Sequence, residues 1–163
     1  MQTIPSILST RVASTLLLAA LAFGAPGHAQ KAWTLDFVLG GPVSLSLLDV
    51  QTAESEIIAP VQLVDVYAMA RGVEGDFWII ARATFTPSVV ALHRLDSETF
   101  TLTEVGPLNL PSFVDIRGMT VLPDGRILMS ADFEPSVPPG LYDVDPATGQ
   151  GTLIGNTAGL LTA

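Results

Sequence analysis

Residues 114–129 read VDIRGMTVLPDGRILM, and residues 64–79, which lie 50 positions earlier, read VDVYAMARGVEGDFWI. Both stretches begin with Val-Asp, carry a methionine five positions after the valine, and reach an acidic residue followed by glycine five positions after that. A second landmark, Leu-x-x-(Leu/Val)-Asp, ends at Asp49, Asp96 and Asp145, at intervals of 47 and 49 residues. Two landmarks that keep one order and one period indicate an internal repeat of about 50 residues.

Within each repeat the local pattern favours strands and tight turns. Phe77–Ile80 and Ile127–Met129 are short apolar runs, and each follows an acidic residue and a glycine, a pair that favours a hairpin turn. The 12 prolines and 14 glycines interrupt most candidate helical patterns. The repeat therefore predicts an all-β fold of four-stranded antiparallel blades, two complete and one partial, which together make an incomplete β-propeller.

The repeat also predicts where strands and domains begin and end. In the complete blades we predict strands at 65–71, 76–83, 89–95 and 100–105, and at 115–122, 126–132, 140–145 and 151–155. In the partial blade we predict strands at 33–39, 43–49 and 55–63. The predicted organisation is a signal peptide (1–29), a partial N-terminal blade (30–63), a blade (64–106), a second blade (107–157), and the start of a further strand or a C-terminal tail (158–163).

Several recurring residues are expected to build turns. An aspartate side chain can accept hydrogen bonds from nearby backbone N–H groups, and glycine tolerates a positive φ. The predicted structural turn residues are Asp49, Asp96, Asp124, Gly125, Asp145 and Gly149.

The N-terminal stretch has the pattern of an export signal. Val12–Ala25 is apolar and follows Arg11, but its 14 residues are fewer than the roughly 20 that a spanning helix requires. Small residues at Gly27 and Ala29 match the small-x-small pattern of a cleavage site. We predict cleavage after Ala29, no transmembrane anchor in the mature chain, and a secreted or periplasmic location; the alternative is an uncleaved anchor or a buried N-terminal helix.

The composition excludes several classes of function. The chain of 163 residues has 16 acidic and 7 basic side chains, a net charge of −9, so it lacks the clustered cations that nucleic acid requires. It has no cysteine, which excludes disulfides, thiol catalysis and cysteine-based metal sites. The acidic balance leaves a small molecule, a glycan or a protein as the ligand classes that we consider.

Residues 115–129, followed by 140–149 and 152–155, resemble the blade repeats of secreted bacterial β-propellers, a group that includes gluconolactonase-like enzymes and surface-binding proteins. The resemblance implies an architecture more than an activity, because the same blade serves both kinds of protein. Propellers close with 4 to 8 blades, more than this sequence contains. The alternatives are a truncated reading frame, an open stack of blades, or a homo-oligomer in which residues 158–163 of a neighbour supply the missing first strand.

Two aspartates occupy equivalent positions at the start of the predicted innermost strands. We predict that Asp65 and Asp115 border a central channel, where their carboxylate oxygens would bind a cation; Ca²⁺ is the candidate, because it prefers oxygen ligands. The alternative is that each aspartate accepts hydrogen bonds that hold its blade in register. We predict no other cofactor.

Non-repeating polar residues on loops are better candidates for ligand binding than repeating ones. Asp132 and Glu134 have no acidic counterpart in the preceding repeat, where Arg82 and Thr84 stand. They are the candidate loop-binding residues, with a merely solvated loop as the alternative. His93 lies between Leu92 and Arg94, and we predict that it points outward on its strand and has no catalytic role.

We infer from the sequence an exported, propeller-like repeat protein that acts as a binding or scaffold module for an unknown ligand. No nucleophile elbow, phosphate loop or catalytic histidine motif occurs, and we assign no catalytic residue. The alternatives are a metal-assisted lactonase or esterase of the propeller type, with carboxylates that hold the cation, and a truncated fragment of either protein.

Overall fold

The computed structural model describes residues 31–37, 43–83, 89–110, 114–133 and 139–156. These residues form eleven β-strands and no helix. The predicted signal peptide (1–29), the tail at 158–163 and Glu134 lie outside the described residues. Within the described ranges there is no helix of the length and apolarity needed to cross a membrane.

The strands form three antiparallel sheets, which we call blades A, B and C. Blade A has the order β1-β2-β3, blade B β4-β5-β6-β7, and blade C β11-β10-β9-β8. Blades B and C have four strands each and blade A has three, and the described strands do not close into a ring. The predicted all-β, propeller-like fold with one partial blade is therefore confirmed. The strands are β1 Lys31–Phe37, β2 Val43–Asp49, β3 Ser55–Val61, β4 Asp65–Arg71, β5 Phe77–Arg82, β6 Ala91–Leu95, β7 Leu102–Pro107, β8 Val114–Val121, β9 Ile127–Phe133, β10 Gly140–Val144 and β11 Gly151–Asn156.

Each of these strands lies within two residues of its predicted bounds. The agreement has a local cause: an acidic residue and a glycine end one strand, and a β-branched or aromatic run begins the next.

The core lies between the blades rather than inside any one of them. Successive side chains of β5 contact opposite neighbours, because Phe77 and Ile79 belong to the apolar cluster shared with blade A and Ile80 belongs to the cluster shared with blade C. The partners on the flanking blades include Leu35, Val43 and Leu45 in blade A and Ile127, Met129 and Val144 in blade C. A blade covered on both faces needs apolar residues on both, which accounts for the low charge content of the chain.

The prediction that His93 points outward is wrong. His93 is 1% exposed, whereas Arg94 beside it is exposed. Leu92 packs in the cluster shared with blade C, so His93 on the opposite face of β6 is directed toward blade A. Because blade B is covered on both faces, successive side chains of its strands alternate between two buried faces and not between a buried face and solvent.

The turns between the two outer strands share one design in all three blades. The side chains of Asp49, Asp96 and Asp145 accept hydrogen bonds from backbone N–H groups two residues ahead, with N···O distances of 2.8–2.9 Å. Backbone hydrogen bonds within these turns lower the pKa of all three carboxyl groups, with the largest effect from the N–H of Gln51 at Asp49, of Thr99 at Asp96 and of Ala147 at Asp145. Four residues after each aspartate the backbone has a positive φ, at Ala53 (59°), Phe100 (55°) and Gly149 (78°).

The turns between the two inner strands of blades B and C also repeat. Gly75 and Gly125 have φ values of 99° and 87°, which glycine adopts without steric cost. In blade C the Asp124 side chain accepts a hydrogen bond from the Arg126 backbone N–H at 3.2 Å. This hydrogen bond lowers the pKa of Asp124 and holds the turn.

Blades B and C also meet through their backbones. The turn residues Thr148 and Gly149 of blade C lie directly against Gly106 of β7, and a side chain on either glycine would collide with the opposing backbone. Next to this contact the Gly151 N–H donates to the Leu108 carbonyl at 3.0 Å. The absence of a Cβ atom therefore lets the outer edge of blade B approach the last turn of blade C.

Candidate functional site

The inner strands of blades B and C present their starting residues at one end of the fold. Strands β4 and β8 contact each other, and the turns that follow them line one common cleft. The starts of β4 and β8 must therefore lie at the opposite end of the fold. We call this opposite end the Asp65 end and define it by Asp65, Tyr67 and Arg82 of blade B and by Asp115, Arg117 and Asp132 of blade C.

In blade B the Asp65 end carries an ion pair beside an aromatic ring. Asp65 is the register partner of Arg82, and their side chains form a salt bridge. The Arg82 guanidinium carbon also lies 5.9 Å from the centroid of the Tyr67 ring, at the limit of a cation–π contact. Burial raises the pKa of Tyr67 above its ordinary value.

In blade C the same end carries two carboxylates around one arginine. Asp115 and Asp132 are register partners on β8 and β9. Arg117 bridges them, because its Nη2 lies 2.9 Å from Asp115 and its Nε donates to Asp132 at 2.9 Å. The hydrogen bond to Asp132, followed by the charge of Asp115, raises the pKa of Arg117 further.

The two groups occupy equivalent positions of the repeat but have different chemistry. Asp65 corresponds to Asp115, whereas Arg82 corresponds to Asp132 and Tyr67 to Arg117. The arginine of the group lies on β5 in blade B and on β8 in blade C. In each blade it pairs with the aspartate at the equivalent position, Asp65 or Asp115. Asp65 pairs with an arginine on the neighbouring strand β5, whereas Asp115 pairs with an arginine two residues further along its own strand β8.

The carboxylates of the Asp65 end are engaged with arginine in the structure. Across the described residues no three His, Cys, Asp or Glu side chains come together in a way that could hold a metal ion. Calcium binding by Asp65 and Asp115 stays a prediction, as does ligand binding by Asp132 and Glu134, of which only Asp132 is described.

The opposite end has a charged group of its own. Asp76, 8% exposed, forms a salt bridge with Arg94 and accepts a hydrogen bond from the Ser97 N–H at 3.3 Å. The Arg94 guanidinium carbon lies 6.0 Å from the Trp78 ring centroid, and its Nη2 lies 3.5 Å from Glu74. Glu74, Asp76, Trp78 and Arg94 border a cleft of about 190 Å³ between blades B and C.

The Asp76–Arg94 pair also recurs with its charges exchanged. In blade C the equivalent positions are Arg126 and Asp143, whose side chains lie 3.6 Å apart. A pair whose charges are exchanged between repeats keeps its attraction, so we assign this pair to construction of the blade rather than to ligand binding. An alignment of the two repeats contains the signal for this pair, although neither residue stood out singly.

Three of the six residues at the Asp65 end, Asp65, Asp115 and Asp132, are candidate site residues from the sequence alone. The structure brings Asp115 and Asp132 together and places Asp65 at the equivalent point of the neighbouring blade. In the sequence Arg82 stands out only as the counterpart of Asp132. The contacts of Arg117 and Tyr67 depend on the strand register, so the sequence does not identify them as partners of these carboxylates and of Arg82.

Comparisons with known proteins bear on the fold alone. The sequence matches no protein-family model and no curated protein. Among solved structures, the crystal structure of TolB from Acinetobacter baumannii is similar, with a TM-score of 0.52 and 18% sequence identity. The match covers 78% of this chain but only 30% of the TolB chain, so this chain spans less than a third of that protein.

Proposed function

We propose that this chain is an exported, propeller-like module that binds a protein partner through the Asp65 end. One observation carries the proposal: the Asp65 end has one carboxylate with one arginine in blade B but two carboxylates with one arginine in blade C, whereas the aspartate turns recur in every blade. A residue that recurs in each repeat serves the repeat itself. Side chains that differ without loss of the fold are free to recognise an asymmetric surface.

The chemistry of this end favours a protein as the ligand. Asp115 and Arg117 are about 60% exposed and form a mixed-charge surface. Arginine is enriched among the residues that dominate binding energies, since it combines a planar donor array with an apolar stem. The net charge of −9 disfavours nucleic acid as the alternative.

Two exposed valines allow a direct test of which end binds. Val89 precedes β6 on the side of the Asp65 end, and Val73 lies in the turn between β4 and β5 at the opposite end; they are 44% and 62% exposed. We expect a photo-crosslinking phenylalanine analogue at position 89 to capture a discrete partner in the cells that produce the chain. The same analogue at position 73 should capture none, as judged by mass-shifted bands after irradiation.

The charge dependence of the crosslink separates binding from proximity. Arg117→Glu, in the chain that carries the analogue at position 89, should lower the crosslink yield at least about fivefold, because loss of a binding hot spot costs about 2 kcal/mol or more. Arg126→Glu is the matched control, since Arg126 is comparably exposed, at 55%, and lies at the opposite end. Equal yields in the two variants, or capture from position 73 alone, would contradict the proposal.

We further propose that the partial blade is completed by a second copy of the chain. Strand β1 occupies the place of β5 and β9 in the repeat, but those strands have partners on both sides, whereas β1 pairs only with β2 among the described strands. Both faces of β1 carry buried side chains, including Ala32, Thr34 and Leu35. A half-buried strand with one open edge is a site for strand addition, and residues 158–163 of a neighbour are our candidate for the added strand.

Sedimentation measurements test this assembly. We expect the exported chain to sediment as a dimer or larger species at micromolar concentration. Replacing residues 157–163 with a Gly-Ser segment of equal length should convert it to a monomer, since the segment could no longer supply apolar side chains to the added strand. A monomeric unmodified chain would rule out completion by a second copy.

A further inference from the structure

Blades A and B enclose a cleft that the Asp65 end does not include. Its volume is about 370 Å³, within the range of small-molecule sites. Its polar lining consists of Gln62, His93 and Glu104, and the described residues that line it include no lysine or arginine. The apolar walls are formed by Pro60, Val61, Ala83, Phe100 and Leu102.

His93, which lines this cleft, carries a buried hydrogen-bond acceptor. Its Nδ1 lies 3.2 Å from the Ala91 carbonyl oxygen, and because a carbonyl can only accept, Nδ1 carries the proton. In the neutral ring Nε2 is then an acceptor, and this buried atom has no hydrogen-bond partner within the described part of the chain. Burial lowers the pKa of His93, against the opposing effects of Glu104 and two backbone carbonyls, and so favours the neutral ring.

Glu104 supplies a second acceptor beside the first. Its Oε2 lies 3.8 Å from His93 Nε2, and its side chain is 57% exposed, which places the carboxylate at the mouth of the cleft. The site thus has two hydrogen-bond acceptors, the buried Nε2 of His93 and the Glu104 carboxylate, and no cation among its described lining residues. A positively charged hydrogen-bond donor would complement both acceptors.

The repeat sets His93 apart from its counterparts. The equivalent positions are Ser46 in blade A and Tyr142 in blade C, and all three residues are buried polar or partly polar side chains. Among these positions only His93 has a carboxylate as its close neighbour across the strand pair, since His93 and Glu104 are register partners on β6 and β7. Ser46 Oγ is likewise buried without a hydrogen-bond partner, so the feature that does not recur is the carboxylate beside His93.

We propose that the cleft between blades A and B binds a small molecule that carries a primary ammonium group on an apolar body. A nitrogen about 2.8–3.0 Å from each acceptor can bridge two acceptors that lie 3.8 Å apart. The ammonium pairs with Glu104 at the mouth of the cleft and donates a second hydrogen bond to His93 Nε2, which lies behind Glu104 below the surface of the cleft, and the apolar body lies against Phe100 and Leu102. This site is independent of the protein partner proposed for the Asp65 end.

Nitrogen NMR of the imidazole tests the proposal, with n-hexylamine hydrochloride as the probe. We expect hexylamine to move the His93 Nε2 resonance saturably, with a Kd of about 1 mM or below, and n-hexanol, which has the same chain length and no charge, to leave it in place. Glu104→Gln should weaken hexylamine binding about tenfold. Glu98→Gln is the matched control, because Glu98 is also exposed but lies outside the cleft, and it should not change the binding.

Three outcomes would overturn the proposal. An equal response to hexanol would mean that the cleft takes any apolar chain, and unchanged hexylamine binding in Glu104→Gln would remove the charge from recognition. A response to ZnCl₂ without a response to hexylamine would assign the two acceptors to a metal ion instead. Because Glu104 is exposed, its variant is expected to fold, and the NMR spectrum itself reports whether it does.

Discussion

Replacing Phe77 with alanine is expected to lower the free energy of unfolding by about 3–5 kcal/mol, the usual cost of removing a buried aromatic side chain. Phe77 is 1% exposed and belongs to the cluster shared by blades A and B. Its ring meets the Trp33 ring of blade A edge-on, with centroids 5.0 Å apart at an interplanar angle of 63°. The substitution therefore removes both apolar burial and an aromatic pair that joins two blades.

Urea denaturation followed by circular dichroism measures this loss. Val73→Ala is the control, since Val73 is 62% exposed and its truncation should change stability by no more than about 0.5 kcal/mol. A loss below about 1 kcal/mol in Phe77→Ala would mean that blade A is not packed against blade B in solution. Tryptophan fluorescence gives a second readout, because the Trp33 ring loses its buried neighbour.

The strand bounds could be predicted because their signals are local. Turns such as Asp124-Gly125 and Asp145 to Gly149 are specified by residue types that are close together in the sequence. The turn after Asp96 has no glycine, and there Phe100 adopts the positive φ that Gly149 adopts in the next blade. Local signals of this kind do not depend on how the blades pack.

Contacts between strands and between blades were harder to predict. The burial of His93 follows from the presence of blade A on one side of blade B, and no pattern within β6 contains that information. Arg117 contacts Asp132 only because β8 and β9 pair in one register. A comparison of the repeats could nonetheless have found the exchanged charges, since Arg82 and Asp132 occupy one position of the repeat.

The exchanged pairs explain how the blades differ while keeping one backbone. Asp76 with Arg94 in blade B and Arg126 with Asp143 in blade C place opposite charges at the same two positions. Either arrangement satisfies the pair across the strands, so the sequence is free to alternate between them. At the Asp65 end the exchange also alters the exposed chemistry, because blade C presents two carboxylates and blade B only one. The same freedom that leaves the fold intact thus diversifies the surface that we propose for binding.

Gly149→Ala should destabilise the protein by about 3 kcal/mol, through two costs that a second glycine can separate. An alanine at a φ of 78° is strained, and its Cβ would lie closer than 3.0 Å to the Gly106 carbonyl oxygen, which is part of a strand and cannot rotate away. Gly125→Ala is the matched control: φ is 87°, but no atom lies within 4 Å of the added Cβ, so only the strain of about 1 kcal/mol applies.

The difference between these two variants therefore measures the backbone contact between blades B and C. Urea denaturation of both variants should give midpoints that differ by the equivalent of about 2 kcal/mol, with Gly149→Ala the less stable. Losses that agree within about 0.5 kcal/mol would mean that the turn of blade C does not rest on Gly106 in solution. Because the same contact places Gly151 within hydrogen-bond distance of Leu108, amide hydrogen exchange at Gly151 should accelerate in Gly149→Ala and stay unchanged in Gly125→Ala.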